Sequence, residues 1–283
     1  MIWLLLNIAI SVAILTVFRL FDRFGVHRDN AIVLSYLASL SFSYFFREQT
    51  VAISDLPQYP WFYLGLFIGV TFYFGFQLFA RSTAKAGMAI TSVSGNTSVV
   101  IPVTIALIFY NEDISAVKLI GILIVVASFF LIFKKEKTEN LDWRHIFLPI
   151  ILFFVSGINA SLMGFAEKNG VNTYLINFMM LIFAAAFLTG IAKVMLSKNK
   201  KKFTLKTILA SLILGSLNFL STMIIIKALD SIPDSVFFPV YNSGYIVLAA
   251  LVGYVFFREK LLKINLIGIG LALAGIIILS SGI

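Results

Sequence analysis

Long, almost uninterrupted apolar runs leave this chain few ways to fold. Breaks in hydrophobicity separate runs near 2–18, 31–46, 61–80, 87–110, 117–133, 146–166, 173–192, 207–227, 234–257 and 264–282. A helix that crosses the hydrocarbon core of a bilayer needs about 20 such residues. Within lipid every backbone N–H and C=O must be satisfied by the protein, and runs this continuous predict helices rather than barrel strands. The expected fold is an all-α integral membrane protein with ten transmembrane helices. Composition agrees: 60% of the 283 residues are hydrophobic and 12% charged, against about 25% charged in soluble domains. That excludes an ordinary soluble enzyme, a disordered chain and a nucleic-acid-binding domain. Residues 1–18 have no basic start and reach Arg19 without a small-residue cleavage site, so they read as the first span rather than a cleaved leader.

The basic excess, 22 Lys and Arg against 13 acidic residues, then reports orientation. Eighteen of the 22 fall in the loops after spans 1, 3, 5, 7 and 9, while Arg47, Lys118, Lys168 and Lys227 lie opposite. The positive-inside rule puts the eighteen in the cytoplasm and both termini outside. The run Lys198, Lys200, Lys201, Lys202 reads as a solvated loop, with contact to anionic lipid as the alternative. Cysteine is absent and only His27 and His145 carry imidazole, so no thiolate metal site is expected and no metal or cofactor is called for. No nucleotide-binding loop occurs either.

The chain repeats itself. At an offset of 147, Phe109, Glu112, Leu119, Ile120, Gly121, Ile122 and Ala127 fall on Phe256, Glu259, Leu266, Ile267, Gly268, Ile269 and Ala274 without a gap. Apolar composition does not explain a helix-end Glu followed at the same spacing by Leu-Ile-Gly-Ile. The repeats are taken as 1–140 and 141–283, five spans each. Because five is odd, the second repeat enters the membrane from the opposite side, which makes an inverted pair around a shared central site.

The pattern Pro102, Phe109, Glu112 and Lys118-Leu119-Ile120-Gly121, answered by Phe256, Phe257, Glu259 and Gly268, resembles the EamA-type branch of the drug/metabolite transporter superfamily. The resemblance covers both halves and implies a carrier of small organic metabolites, with export the direction it favours. Ala249 stands where the repeat would place Pro102, and Pro239 lies ten residues earlier.

Two polar clusters interrupt apolar spans. Ser94-Gly95-Asn96-Thr97-Ser98 lies in span 4 and Tyr241-Asn242-Ser243-Gly244-Tyr245 in span 9, near Pro102 and Pro239 respectively. Proline frees a carbonyl and bends a helix, so polar groups there can line a cavity. Tight helix packing explains the small residues equally well. Ser94, Asn96, Thr97, Tyr241 and Asn242 are the first substrate-binding candidates. Tyr73 and Gln77 in span 3, Asn159 in span 6 and Asn218 in span 8 are further candidates, each also readable as an interhelical hydrogen bond. Tyr241 and Tyr245 share a helix face and could form an aromatic wall. Glu112, Glu259, Pro102 and Pro239 are assigned to helix ends or gating, with Lys118 and Lys260 as the glutamates' expected partners or the following helix as the element they cap.

Inside their end residues, none of the ten runs contains Asp or Glu, whereas proton-coupled carriers commonly hold an acid within the membrane. The expected function is therefore a secondary transporter or facilitator, not an enzyme, that moves amino acids or related amphipathic solutes by alternating access. Its site is expected between spans 4 and 9, lined further by spans 3, 6 and 8. Translocation of a lipid or lipid-linked carrier is the alternative, and a membrane-embedded lipid-modifying enzyme a weaker one. The partners are a small-molecule substrate and the lipid bilayer, with a homodimer as a further option and no nucleic acid. The expected location is the bacterial inner membrane.

Overall fold

A computed structural model describes residues 2–47, 51, 54–109, 116–132, 143–168, 171–197, 203–229, 234–259 and 261–281. These residues are overwhelmingly helical and include no strand. The helices are α1 (Ile2–Phe24), α2 (Arg28–Phe45), α3 (Phe62–Ala86), α4 (Met88–Thr97), α5 (Val100–Phe109), α6 (Ala116–Ile132), α7 (Trp143–Lys168), α8 (Leu175–Leu196), α9 (Leu205–Leu229), α10 (Asp234–Phe257) and α11 (Lys263–Ser281). Among the described residues, four stretches are long and apolar enough to cross a membrane by themselves: Ile2–Phe24, Phe62–Ala86, Leu175–Leu196 and Leu205–Ile224. Shorter apolar helical segments accompany them. Large apolar side chains such as Leu5, Phe67, Leu123, Leu188 and Leu251 are exposed on the bundle's outside, an arrangement suited to lipid rather than water.

The structure corrects the reading of span 4 as one helix. The chain breaks at Ser98 and Val99 and resumes as α5. Each half is 10 residues long, about 15 Å, so neither half crosses a bilayer alone. The hydroxyls of Thr97 and Ser98 donate to the carbonyls of Val93 and Gly95 at 2.7 and 2.6 Å, which draws backbone acceptors away from the ladder where the helix ends. In the second half α10 runs unbroken through Pro239. Helix ends also extend past the apolar runs: α1 carries Arg19 and Arg23, and α3 carries Arg81 and Lys85.

Helix contacts occur in matching sets. α2 packs on α9 and α3 on α8; α1 packs on α9 and α3 on α7; α1 meets α10, while α7 meets α4 and α5; α2 lies on α8, and α6 on α11. Small residues set the closest crossings. A Cβ on Gly69 would lie 2.5 Å from Ala185 Cβ and 2.6 Å from the Ile182 carbonyl, and one on Gly215 would lie 2.6 Å from Ala38 Cβ and 2.6 Å from the Ser35 carbonyl. At the second crossing Ser39 Oγ also donates to the Gly215 carbonyl at 3.1 Å. Without a hydrophobic driving force between helices in lipid, such backbone approach supplies much of the cohesion. Gly215→Val is expected to destabilise the bundle by about 1–3 kcal/mol, since the opposing atoms, an alanine Cβ and a backbone carbonyl, cannot turn aside. Thermal unfolding of the detergent-solubilised variant measures it.

Candidate functional site

One end of the bundle gathers the ends of α1, α3 and α10 and the starts of α2, α4 and α9. There α3 gives way to α4 through Gly87, whose φ of 95° and ψ of 166° are open to glycine and costly for other residues. The abrupt joint leaves the carbonyls that finish α3 and the N–H groups that start α4 without helical partners. Arg19 of α1 donates from Nη1 to the carbonyls of Thr83 and Ala84. Glu259, just beyond α10, accepts from Met88 N at 2.8 and 3.0 Å and from Ala89 N at 3.4 Å. The two side chains approach each other at 3.9 Å, and the guanidinium lies 5.9 Å from the Phe257 ring centroid. A cation thus sits on the negative end of one helix dipole and an anion on the positive end of the next.

The sequence prepares this joint at both glutamate walls. A Cβ on Gly253 would meet Glu259 Oε2 at 2.6 Å, and one on Gly87 would meet it at 2.9 Å. Arg258, in a left-handed conformation with φ 53°, turns the chain back so that Glu259 N–H bonds the Gly253 carbonyl at 3.0 Å. Glu259 therefore holds the start of α4, not of the helix that follows it, and approaches Arg19; Lys260 lies outside the described residues. The start of α11 is served by Asn265, whose Oδ1 accepts from Leu262 N at 2.9 Å. Glu112 and Lys118 lie outside the described residues or side chains, as do Lys198–Lys202 and the side chain of Pro239.

A second polar group lies deeper, between α1, α9 and α10. Asn7 Nδ2 donates to the Ser221 carbonyl at 2.7 Å, Ser11 Oγ is 3.4 Å from Ser221 Oγ, and Ser11 Oγ and Tyr241 OH share a 3.0 Å hydrogen bond. Ser11 precedes Arg19 by eight residues on α1, about 12 Å along the helix. Tyr241 and Tyr245 lie one above the other with centroids 6.1 Å apart. A backbone carbonyl can only accept, so the Asn7 atom facing Ser221 is its amide nitrogen, and Oδ1 is left as an acceptor. That oxygen is buried and has no hydrogen-bond partner among the described residues; the same holds for Asn218 Nδ2, Ser243 Oγ and Ser94 Oγ. Asn218 is one turn before Ser221 on α9. An unpartnered buried polar atom costs about 1–3 kcal/mol, and several on neighbouring helices mark a place that folding alone does not account for.

The other candidates are dispersed. Asn96 Nδ2 donates to the Ser92 carbonyl of its own helix at 2.8 Å, and Thr97 likewise bonds within α4. Thr71 donates to Asn159 Oδ1 across α3 and α7. Gln77 Nε2 donates to Tyr73 OH at 3.1 Å, and Tyr73 belongs to the large core with Tyr36, Phe178 and Phe183. Asn242 is buried on α10, and Pro102 lies three residues into α5. Sequence reasoning missed Arg19, Asn7, Ser11 and Ser221. Asn7 and Ser11, spaced i and i+4 inside an apolar run, carried a legible signal of one polar stripe. Among the described residues no three His, Asp or Glu side chains converge as a metal site.

Residues 143–281 match the sequence model of the EamA-like transporter family. An uncharacterized protein of Haemophilus influenzae is 24% identical over 284 residues, a match that takes in 96% of this chain and 95% of that protein.

Proposed function

From the match of residues 143–281 to the EamA-like transporter family we propose that the chain belongs to it and is a secondary transporter or facilitator that moves small organic metabolites by alternating access. It is an integral multi-pass membrane protein, and its family transports small solutes rather than catalysing reactions. The cargo site of this reading is the polar group between α1, α9 and α10, with Asn7, Ser11, Asn218, Ser221, Tyr241 and Asn242 on its walls. The observation that carries it is the Asn7, Ser11, Ser221 and Tyr241 group, in which buried Asn7 Oδ1 has no partner among the described residues, nor has Asn218 Nδ2 one turn before Ser221. Cargo would complete them at a depth where water is scarce.

Two inverted repeats underlie the alternation. Exchanging α1 with α7, α2 with α8, α3 with α9, α4 and α5 with α10, and α6 with α11 carries the principal helix contacts onto one another. The paired crossings Gly69–Ala185 and Gly215–Ala38 support the same exchange. With α4 and α5 counted as one, this gives ten spans. The charge rule assigns the Arg19–Glu259 end to the cytoplasm, so the described conformation is latched on that side. Amino acids or related amphipathic solutes, exported across a bacterial inner membrane, are the cargo and direction we assign.

Counterflow in proteoliposomes tests the reading. Vesicles loaded with one solute of an amino-acid and metabolite panel are expected to take up labelled solute faster than empty vesicles, with saturation and little response to an imposed pH gradient. Headgroup scrambling of labelled lipid, with no counterflow by any solute, would replace this reading by lipid translocation.

A further inference from the structure

Apart from the latch and the polar group, the same end of the bundle holds a cleft of about 620 Å³. Its walls come from the α1–α2 turn, the last turns of α3 and the start of α9, and its polar lining includes Asp22, His27, Arg28, Asp29, Arg81 and Thr204. The size lies within the range of small-molecule sites, about 300–1,000 Å³.

The charges in it are paired but incompletely used. Arg28 Nη2 reaches both Asp22 oxygens, at 2.8 and 3.0 Å, while Arg28 Nε is buried with no partner among the described residues. A guanidinium has five N–H donors in a fixed fork, so donors remain for a second oxyanion. Arg81 approaches Asp29 at 3.6 Å, with both side chains partly exposed. His27 Nδ1 accepts from Asn30 N, which leaves the neutral ring's proton on Nε2 as a donor. Thr204 and Thr207 share a 2.9 Å hydrogen bond, and one hydroxyl proton is left over.

This lining discriminates by charge pattern. A simple anion would meet the two carboxylates, and a simple cation the two guanidiniums. A ligand bearing both signs meets each with its opposite. We propose that the cleft binds a phosphodiester that carries a primary ammonium: the phosphate oxygens take Arg28 Nε, His27 Nε2 and the threonine hydroxyl, and the ammonium donates to Asp22 and Asp29. This chemistry belongs both to a zwitterionic phospholipid headgroup and to its soluble glycerol-phosphate ester.

The test uses the full chain in detergent and measures binding of phosphatidylethanolamine, phosphatidylcholine and phosphatidylglycerol by native mass spectrometry. Phosphatidylcholine cannot donate N–H bonds to the aspartates, and phosphatidylglycerol lacks the cation. Phosphatidylethanolamine is expected to bind at least tenfold more tightly than either, and Arg28→Gln and Asp29→Asn to remove most of that preference. Glycerophosphoethanolamine that competes at equal concentration identifies the soluble ester as the ligand; failure to compete at large excess identifies the lipid. Should Arg28→Gln not remain monodisperse, the partly exposed Asp29→Asn and Arg81→Gln carry the test. Equal binding of all three lipids, a preference for phosphatidylglycerol, or an unchanged preference in Asp29→Asn and Arg81→Gln would overturn the proposal.

Discussion

Glu259→Ala is expected to destabilise the folded protein by about 3 kcal/mol, since it removes charge-assisted hydrogen bonds and strands the donors they served, each effect worth about 1–3 kcal/mol. The carboxylate is 10% exposed and holds the N–H groups of Met88 and Ala89. Its loss strands those donors and leaves Arg19 facing only the carbonyls at the end of α3. Glu259→Gln retains an acceptor and the shape but not the charge, and should cost less, about 1–3 kcal/mol. Thermal unfolding in detergent gives the stability. Cysteine pairs across the α3–α4 joint, labelled from each side of the vesicle, give access at the latched end. The glutamine variant should open that end to label while still folding. If Glu259→Ala melted within a degree of the parent and labelled no faster, the carboxylate would be a surface group without a latching role.

Replacement of Asn7 by leucine should divide stability from transport. The hydrogen bond it gives up is worth little in a membrane, about 0.6 kcal/mol on average. The same change removes a buried acceptor that has no partner among the described residues, which by itself favours the fold. Asn7→Leu is therefore expected to melt at or above the parent's temperature. Cargo that had bonded Oδ1 loses about 1–3 kcal/mol, a five- to 150-fold fall in transport efficiency. A stable variant that transports poorly identifies a site retained at the expense of stability. Parent-like transport would make Asn7 a helix-packing residue, and lower stability with parent-like transport per folded molecule would say the same. Tyr241→Phe, which removes the hydroxyl shared with Ser11 at 3.0 Å, should shift the apparent affinity in the same direction by a smaller factor.

The apolar runs determined the helices and their approximate limits because a backbone in lipid has no other way to satisfy its polar groups. The likeness to the EamA-like transporter family was also legible in the sequence, through the helix-end Glu and the Leu-Ile-Gly-Ile that follows it. The break at Ser98 was written there less openly, as a cluster of residues whose side chains bond nearby carbonyls. What the tertiary structure decided was partnership. Nothing local in the sequence marks Met88 as its neighbour, yet Glu259 holds an α4 N-terminus 171 residues away, because the unsatisfied N–H groups and positive dipole end of that helix draw a carboxylate. Asn159 and Asn7 look alike as isolated polar residues in apolar spans. Packing gives Asn159 the Thr71 hydroxyl and leaves Asn7 an open acceptor, and only the crossing of α1 with α9 and α10 could separate the two.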